Sequence, residues 1–153
     1  MKLHEYQAKN ILKNYEVTVP SGTVINNIDD LTKIEKNLTY PTVVKAQVHS
    51  GARGKAGGIK IAKDFKEVNE SVKSLLGEKL VTHQTGEKGL PINTILLEEA
   101  IDIQQELYLA ITIDGSVSNP IFISSPQGGM DIEAVAEKDP SAILTTMINA
   151  DVG

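Results

Sequence analysis

The sequence predicts a mixed α+β fold, and three observations support that prediction. Segments with strand-like and helix-like hydrophobic periodicity alternate along the 153 residues. Hairpin signals recur, first around the glycine-rich stretch of residues 51–58 and again at Asp114-Gly115. Recurring hairpins argue against a doubly wound Rossmann sheet, in which helices separate the strands.

The N-terminal part predicts two helices around a short strand. Leu3, Tyr6, Ile11, Leu12 and Tyr15 recur with roughly helical spacing and predict a helix over residues 4–15. Pro20 and Gly22 end that segment, and residues 23–25 form a short strand. We expect Asp29 and Asp30 to cap a second helix, which is broken at Tyr40-Pro41.

The central part predicts a hairpin followed by a helix. Residues 42–48 are rich in β-branched side chains and predict a strand, and residues 59–62 predict its return strand. The glycine-rich residues between them predict a long, flexible tip. Asp64 begins a further helix, and Gly77 stands where that helix ends.

The remaining residues predict three strands and two helices. The strands cover residues 94–98, 107–113 and 120–124. Gly128-Gly129 interrupts the chain, and helices are expected from Asp131 and from Pro140, since proline suits the first turn of a helix.

Composition excludes several classes of protein. The length suits one globular domain, or one and a part. The absence of cysteine excludes disulfides, thiolate metal sites and a cysteine nucleophile. The net charge of −5 argues against nucleic-acid binding. No apolar run reaches the length of a membrane span, and no secretion or transit signal is recognisable, so we expect a cytoplasmic protein.

The glycine-rich stretch is the first candidate functional site. Residues 45–66 contain six basic residues and one acidic residue, a local charge of +5 in an acidic chain. Glycine lets backbone N–H groups approach phosphate oxygens, and Lys45, Arg53 and Lys55 would add charged donors. The residues match neither the Walker nor the Rossmann pattern. A mobile hairpin tip with solubilising charges explains the composition equally well.

The second candidate is an acidic connector. Glu98 and Glu99 end an apolar strand, and Glu106 opens the next one. Such a connector offers backbone groups to an adenine ring and a carboxylate to the ribose hydroxyls, although a charged turn is the simpler explanation. The histidines His4, His49 and His83 are too scattered to suggest a metal site.

Several stretches, in order and spacing, resemble the β subunit of succinate–CoA ligases. The resemblance rests on residues 3–9, 44–58, 81–85, 97–100, 106–109, 128–133 and 135–137. It implies the ATP-grasp fold, in which two α+β lobes hold a nucleotide, here incomplete and with a glycine-rich hairpin loop over the site. Two departures stand out. The family usually has glycine where this chain has Ala52, which is expected to restrict positive φ, and often glutamate at Gln127.

The resemblance also implies roles for individual residues. Lys45 would contact the phosphates, under a loop made of Ala52, Arg53 and Gly54. Glu98 and the backbone near Ile101 would face the adenine, and Glu106 would bind the ribose. Proline at position 20 resembles the ATP-using members of the family, whereas some GTP-using members carry glutamine there. These roles make the segment one that positions a nucleotide, with no catalytic nucleophile or base of its own.

The reaction implied is succinate + CoA + ATP ⇌ succinyl-CoA + ADP + phosphate, in the citric acid cycle. The Mg²⁺ ligands are expected beyond Gly153, and the α subunit is expected to supply the phosphorylated histidine and the CoA site. Residues 1–153 would then be the N-terminal portion of an ATP-grasp domain in a truncated chain, inactive by itself. The alternatives are another ATP-grasp ligase, such as a malate–CoA or carboxylate–amine ligase, and a non-catalytic nucleotide-binding or partner-docking module.

Overall fold

The computed structural model describes residues 2–116 and 118–149. The chain divides into two compact units, Met1–Ile101 and Asp102–Gly153. Each contains its own antiparallel sheet with at least one helix, so the mixed α+β character predicted from the sequence is present. None of the helices within the described ranges has the length and hydropathy needed to cross a membrane.

The first unit is built on a four-stranded antiparallel sheet of order β1-β6-β2-β3. Its strands and helices, with a two-stranded ribbon of β4 and β5, are α1 (Glu5–Asn14), β1 (Gly22–Ile25), α2 (Asp30–Ile34), β2 (Thr42–Ala46), β3 (Ile59–Ala62), α3 (Phe65–Lys73), β4 (Lys79–Leu80), β5 (Leu90–Pro91) and β6 (Ile95–Glu99). A 3₁₀ turn at Glu35–Asn37 continues α2. The predicted helices, strands and hairpin of this region are present, whereas the ribbon was not predicted from the sequence. Gly77 does not end α3 as expected, because that helix ends at Lys73 and has Ser74 at its C-cap.

The core of this unit lies on one face of the sheet. Alternate residues of β2 and β6, among them Val44 and Leu97, are almost fully buried. Helix α3 adds Val68 and Val72, both fully buried, to the same apolar cluster. Because side chains alternate along a strand, Lys45 and Glu98 project to the other face.

Two other local expectations for the first unit were wrong. Strand β2 ends at Ala46 rather than at residue 48, although the Gln47 N–H still donates to the carbonyl of Thr94, which is next in register on the β6 side. Asp64, where the sequence predicted the start of a helix, caps α3 by accepting a hydrogen bond from the Glu67 N–H at 2.8 Å. Asp29, at the corresponding position of α2, has helical φ and ψ and makes no capping hydrogen bond through its side chain.

The second unit is a three-stranded antiparallel sheet of order β7-β8-β9 with one short helix. The elements are β7 (Tyr108–Asp114), β8 (Asn119–Ser125), α4 (Ile132–Lys138) and β9 (Leu144–Met147). One face of β7 carries Leu109, Ile111 and Ile113, which are 68%, 64% and 74% exposed. Apolar periodicity therefore identified the strand correctly, while the burial that usually accompanies it is not present on this face.

The helix expected from Pro140 is wrong. Pro140–Ala142 form a single 3₁₀ turn, and the following residues continue as β9, which pairs with β8. Proline fits the start of that turn as well as it fits a helix. The β-branched Thr145 and Thr146 then favour an extended strand, whose backbone groups find partners in β8.

Candidate functional site

Five charged side chains meet on the face of the first sheet opposite its core. Glu5 and Lys9 come from α1, Lys45 from β2, Arg53 from the glycine-rich loop and Glu98 from β6. The Lys45 ammonium lies 3.1 Å from Glu5 Oε1 and also donates to Glu98. Lys9 lies 2.9 Å from Glu5 and donates to Glu98 as well, and Arg53 Nη2 lies 2.6 Å from Glu5 Oε2. We call these five residues the ion cluster.

Strand register and helix spacing bring the ion cluster together. Lys45 lies opposite Leu96 in the β2–β6 pair, and Glu98 is two residues further along β6, so both side chains share one face. Glu5 and Lys9 stand four residues apart and therefore project from the same side of α1. Contacts up to 89 residues apart in sequence thus form one network.

Arg53 ties the glycine-rich loop back to its own base. Its Nη1 donates to the Ala46 carbonyl at 2.7 Å, and the Gly58 N–H donates to the Arg53 carbonyl at 2.8 Å. The Ala46 N–H closes the base by donating to Gly58 at 2.8 Å. The loop between the two hairpin strands is therefore a compact series of turns.

Ala52 corrects one expectation about this loop. The sequence interpretation held that alanine in place of glycine removes access to positive φ, yet Ala52 has φ of 55°. The turns around it impose that conformation: the Ala56 N–H donates to its carbonyl at 3.2 Å, and the Gly57 N–H donates to Gly54 at 3.1 Å. A left-handed alanine is unfavourable by about 1–2 kcal/mol, which gives a reason for glycine at this position in the family.

Burial and charge act in opposite directions on the ion cluster. Burial alone raises the pKa of Glu5, but hydrogen bonds from Arg53 and Lys9 and the charge of Lys45 outweigh it and lower that pKa to about 2. Burial lowers the pKa of Lys9, and its bonds to Glu98 and Glu5 reverse this, so the net shift is upward. The Glu98 side chain is only 4% exposed and pairs with the two lysines beside it.

Two histidines connect the N-terminus to the loop. The rings of His4 and His49 stack with centroids 4.0 Å apart and planes 11° apart. Burial lowers the pKa of His4, and the neighbouring His49 and Arg53 lower it further. A neutral His4 at pH 7 can therefore stack on His49 beside the cationic Arg53.

Two cavities flank the ion cluster within the first unit. One of about 380 Å³ lies against the loop and is lined by residues that include Glu5, His49 and Arg53. The other, of about 130 Å³, is lined by residues that include Pro20 and Glu98. Lys45 is held by Glu5, which lines the first cavity, and by Glu98, which lines the second.

The remaining predicted site residues lie at other places in the chain. Ile101 follows β6 and is 56% exposed. Glu106 belongs to the second unit, where its carbonyl accepts from the Gly128 N–H at 2.9 Å. A Cβ at Gly128 would come within 2.6 Å of the Glu106 and Leu107 backbone, so this glycine permits a close approach of two chain segments. The adenine and ribose roles of Ile101 and Glu106 stay predictions.

Glu5 and Lys9 are the candidate site residues that the sequence interpretation missed. Both lie in the N-terminal stretch on which the family resemblance rests, and their i, i+4 spacing is the usual signal of a helical ion pair. Nothing in that spacing indicates that the pair faces Lys45 and Glu98. Among the described residues, no group of three or more histidine or acidic side chains is placed to hold a metal ion.

Comparison with known families matches this architecture to a described domain. Residues 2–153 match the ATP-grasp domain. The chain belongs to the ATP-grasp domain family. The predicted ATP-grasp fold is therefore confirmed.

Curated relatives within the ATP-grasp family confirm the resemblance noted in the sequence. The chain is 47% identical over 157 residues to the β subunit of the ADP-forming succinate–CoA ligase of Acidobacterium capsulatum. It is 46% identical over 154 residues to the corresponding subunit of Geobacillus kaustophilus. Both alignments cover the whole chain, which spans about 40% of the length of these relatives.

Solved structures agree with the fold at much lower identity. An ATP citrate lyase of Methanothrix soehngenii, in complex with citrate and coenzyme A, has a TM-score of 0.70 at 19% identity, covering 97% of this chain and 35% of that one. The ACD1 protein of Candidatus Korarchaeum cryptofilum, in complex with coenzyme A, has a TM-score of 0.67 at 17% identity, covering 95% and 59%. At these identities the likeness concerns the fold alone.

Proposed function

We propose that this chain is the nucleotide-binding part of the β subunit of an ADP-forming succinate–CoA ligase. The observation that carries the proposal is the position of Lys45 at the base of the glycine-rich loop. There it pairs with Glu5, which lines the loop cavity, and with Glu98, which lines the smaller cavity. The choice of substrates is inferred from the β subunits of succinate–CoA ligases, which share 44–47% identity over the whole chain. The complete enzyme would interconvert succinate, CoA and ATP with succinyl-CoA, ADP and phosphate.

In this proposal the ion cluster side receives the phosphates and the smaller cavity receives the base. Arg53 lines the loop cavity, and Lys45 lies behind it on the other oxygen of Glu5, which also lines that cavity. Charge-assisted bonds from lysine and arginine suit phosphate oxygens. Ala52 and Gly54 shape the loop beside them. Glu98, near the base, and Ile101 would face the adenine, and Glu106 of the second unit would bind the ribose.

Such a segment positions the nucleotide and supplies no nucleophile. Mg²⁺ would screen the phosphates during transfer, with ligands outside this segment. The α subunit would carry the phosphorylated histidine and bind CoA, and the assembly would work in the cytoplasm. A different ATP-grasp ligase, such as a malate–CoA ligase, would use the same nucleotide contacts.

The test is nucleotide binding by Lys45→Ala, measured by calorimetry in the complete subunit. Loss of a charged hydrogen bond is worth about 1.5–3 kcal/mol, so ADP affinity should fall by about tenfold to a hundredfold. Lys66→Ala, an exposed position on α3, is the surface control and should change affinity little. Equal effects of the two substitutions would contradict the assignment.

A second control separates binding from stability. Lys9→Ala removes pairings with the same two carboxylates, Glu5 and Glu98, that Lys45→Ala disrupts. Both variants should lower the thermal midpoint, because each leaves the buried Glu98 with one cation fewer. Lys45→Ala should lower ADP affinity by tenfold or more and by more than Lys9→Ala does, because Lys9 lines the smaller cavity and does not contact the loop.

A further inference from the structure

Glu5 occupies the position on the cationic groups that a phosphate would need. Its Oε1 lies 3.1 Å from the Lys45 ammonium, and its Oε2 lies 2.6 Å from Arg53 Nη2. Phosphate oxygens bind arginine and lysine with the same distances and donors as carboxylate oxygens do. Glu5 thus joins the sheet lysine to the loop arginine in the way that two oxygens of one phosphate could.

The charge of the ion cluster makes this occupation matter. Three cations face two carboxylates, so the net charge is only +1 while Glu5 stays in place. Glu98 also contacts Lys45, but it lies on a sheet strand and is 4% exposed. Glu5 is in the first turn of α1, is 22% exposed and lines the loop cavity. Of these two carboxylates, Glu5 is the one that can withdraw without dismantling the sheet.

We propose that Glu5 is an internal competitor of the nucleotide phosphates, holding Lys45 and Arg53 in the free protein and giving them up when a polyphosphate binds. This inference rests on the proposed function and adds a regulating residue to the same site. It follows that Glu5 lowers nucleotide affinity, since its contacts have to be broken and its charge repels the incoming phosphates. It also keeps the cations paired and the loop folded in the meantime.

The experiment compares ADP binding by the complete subunit as wild type and as the Glu5→Gln variant, which keeps the shape of the side chain and removes its charge. Glu5→Gln should bind ADP about tenfold more tightly, as expected for release of one charge-assisted contact. Glu70→Gln, an exposed position on α3, makes the same change in net charge and should bind within about twofold of wild type. Unchanged or weaker binding by Glu5→Gln would overturn the role of Glu5.

Two further ligands, one without a base and one without phosphates, show which part of ADP is responsible for the gain in affinity. Inorganic tripolyphosphate should gain from Glu5→Gln as ADP does, whereas adenosine, which has no phosphate, should gain nothing. A gain for adenosine alone would overturn the inference. A wild-type chain that binds neither ADP nor tripolyphosphate contradicts the proposed function itself, whereas normal binding without the gain overturns only the inference.

A measurement on the wild-type protein covers the case in which Glu5→Gln does not fold. The pKa of the Glu5 carboxyl, about 2 in the free protein, can be followed by carbon-detected NMR. Saturating ADP should raise this pKa, because Glu5 loses its cationic partners and gains phosphate neighbours. A pKa unchanged by saturating ADP would show that the carboxylate stays on Lys45 and Arg53, and the inference would be wrong.

Discussion

At the scale of single residues, the candidate site consists of three cations and two carboxylates in direct contact. Glu5 contacts three cations, and Glu98 contacts two of the same three. A carboxylate that is 4% exposed, as Glu98 is, is stable only while its partners remain. Glu5, on α1, is more exposed than Glu98 and is the easier of the two carboxylates to move away from the cations.

Lowering the pH should expose the contribution of Glu5 to stability. Its pKa in the folded protein, about 2, lies below the ordinary value of 4.5. Its ionised form therefore stabilises the folded state above about pH 4.5, and that stability is lost as the pH falls towards 2. Urea unfolding of wild type and Glu5→Gln should show wild type more stable at pH 7, with the gap closing between pH 4.5 and 2. A gap that is the same at both ends of that range would contradict this account.

Replacing Ala52 by glycine should stabilise the protein. Ala52 has φ of 55°, and relieving a left-handed alanine should raise the free energy of unfolding by about 1 kcal/mol. Ala8→Gly, in the middle of α1, is the control and should lower it by a similar amount, because glycine is the poorer helix residue. Denaturant unfolding measures both. The same sign for the two substitutions would mean that the loop conformation at Ala52 is not strained.

At the scale of secondary structure elements, the hairpin β2–β3 and the strand β6 determine where the charges lie. The Thr42↔Glu99 register places Val43 opposite Glu98 and Lys45 opposite Leu96. A shift of one residue would turn Lys45 towards the apolar core and Val44 away from it. The buried side chains of β2 and β6 thus fix the register, and the register in turn fixes the site.

Replacing the two acidic N-cap residues of the first unit, Asp64 and Asp29, should destabilise the protein to different extents. Asp64 accepts a hydrogen bond from the Glu67 N–H at 2.8 Å, and Asp64→Ala should cost about 1 kcal/mol. Asp29 makes no such bond at the start of α2, so Asp29→Ala should cost clearly less. Thermal unfolding of the two variants provides the comparison. A larger loss for Asp29→Ala would show that α2 depends on a cap which this structure does not contain.

At the scale of the whole molecule, the chain exposes several large apolar side chains and covers only part of the length of its relatives. Leu109, Ile111 and Ile113 cover one face of β7, and Tyr15 of α1 is 78% exposed. The chain spans about 40% of the length of its curated relatives. The proposed activity is therefore a property of the complete enzyme, and predictions about its substrates are tested on that enzyme.

We expect the complete enzyme to prefer adenine to guanine nucleotides. Pro20 lines the same cavity as Glu98, and proline has neither a side-chain donor nor a backbone N–H to offer the guanine carbonyl. An unpaired polar group costs about 1–3 kcal/mol, a factor of roughly ten to a hundred in affinity. The measurement is kcat/KM for ADP and for GDP. Pro20→Gln should narrow the difference, whereas Pro91→Gln, an exposed position on β5, should not.

A wild-type enzyme that uses GDP as well as ADP would show that Pro20 does not set the choice of base. A difference that persists unchanged in Pro20→Gln would locate the selectivity in other residues around the base. In either case the proposed nucleotide site would stand, because the phosphate contacts of Lys45 and Arg53 do not depend on the base.

Elements with a local pattern could be predicted from the sequence. The helix at residues 5–14, the hairpin around the glycine-rich loop, the start of a helix at Asp64 and the ATP-grasp family all follow from periodicity, turn residues or motif order. Sequence reasoning also singled out Lys45, Arg53 and Glu98, since charged residues at strand ends and in glycine-rich loops are recognisable without a structure.

Which of these charges come into contact depends on how the elements pack together. Glu5 and Lys9 had the pattern of an ordinary surface ion pair, and their contacts with Lys45 and Glu98 cross 40 to 89 residues of sequence. The strand at Leu144–Met147, predicted as a helix, likewise depends on a partner that lies far back in the chain, β8. Local preferences are settled within a few residues, whereas pairings of this kind depend on register and on packing between elements, which a single local pattern does not contain.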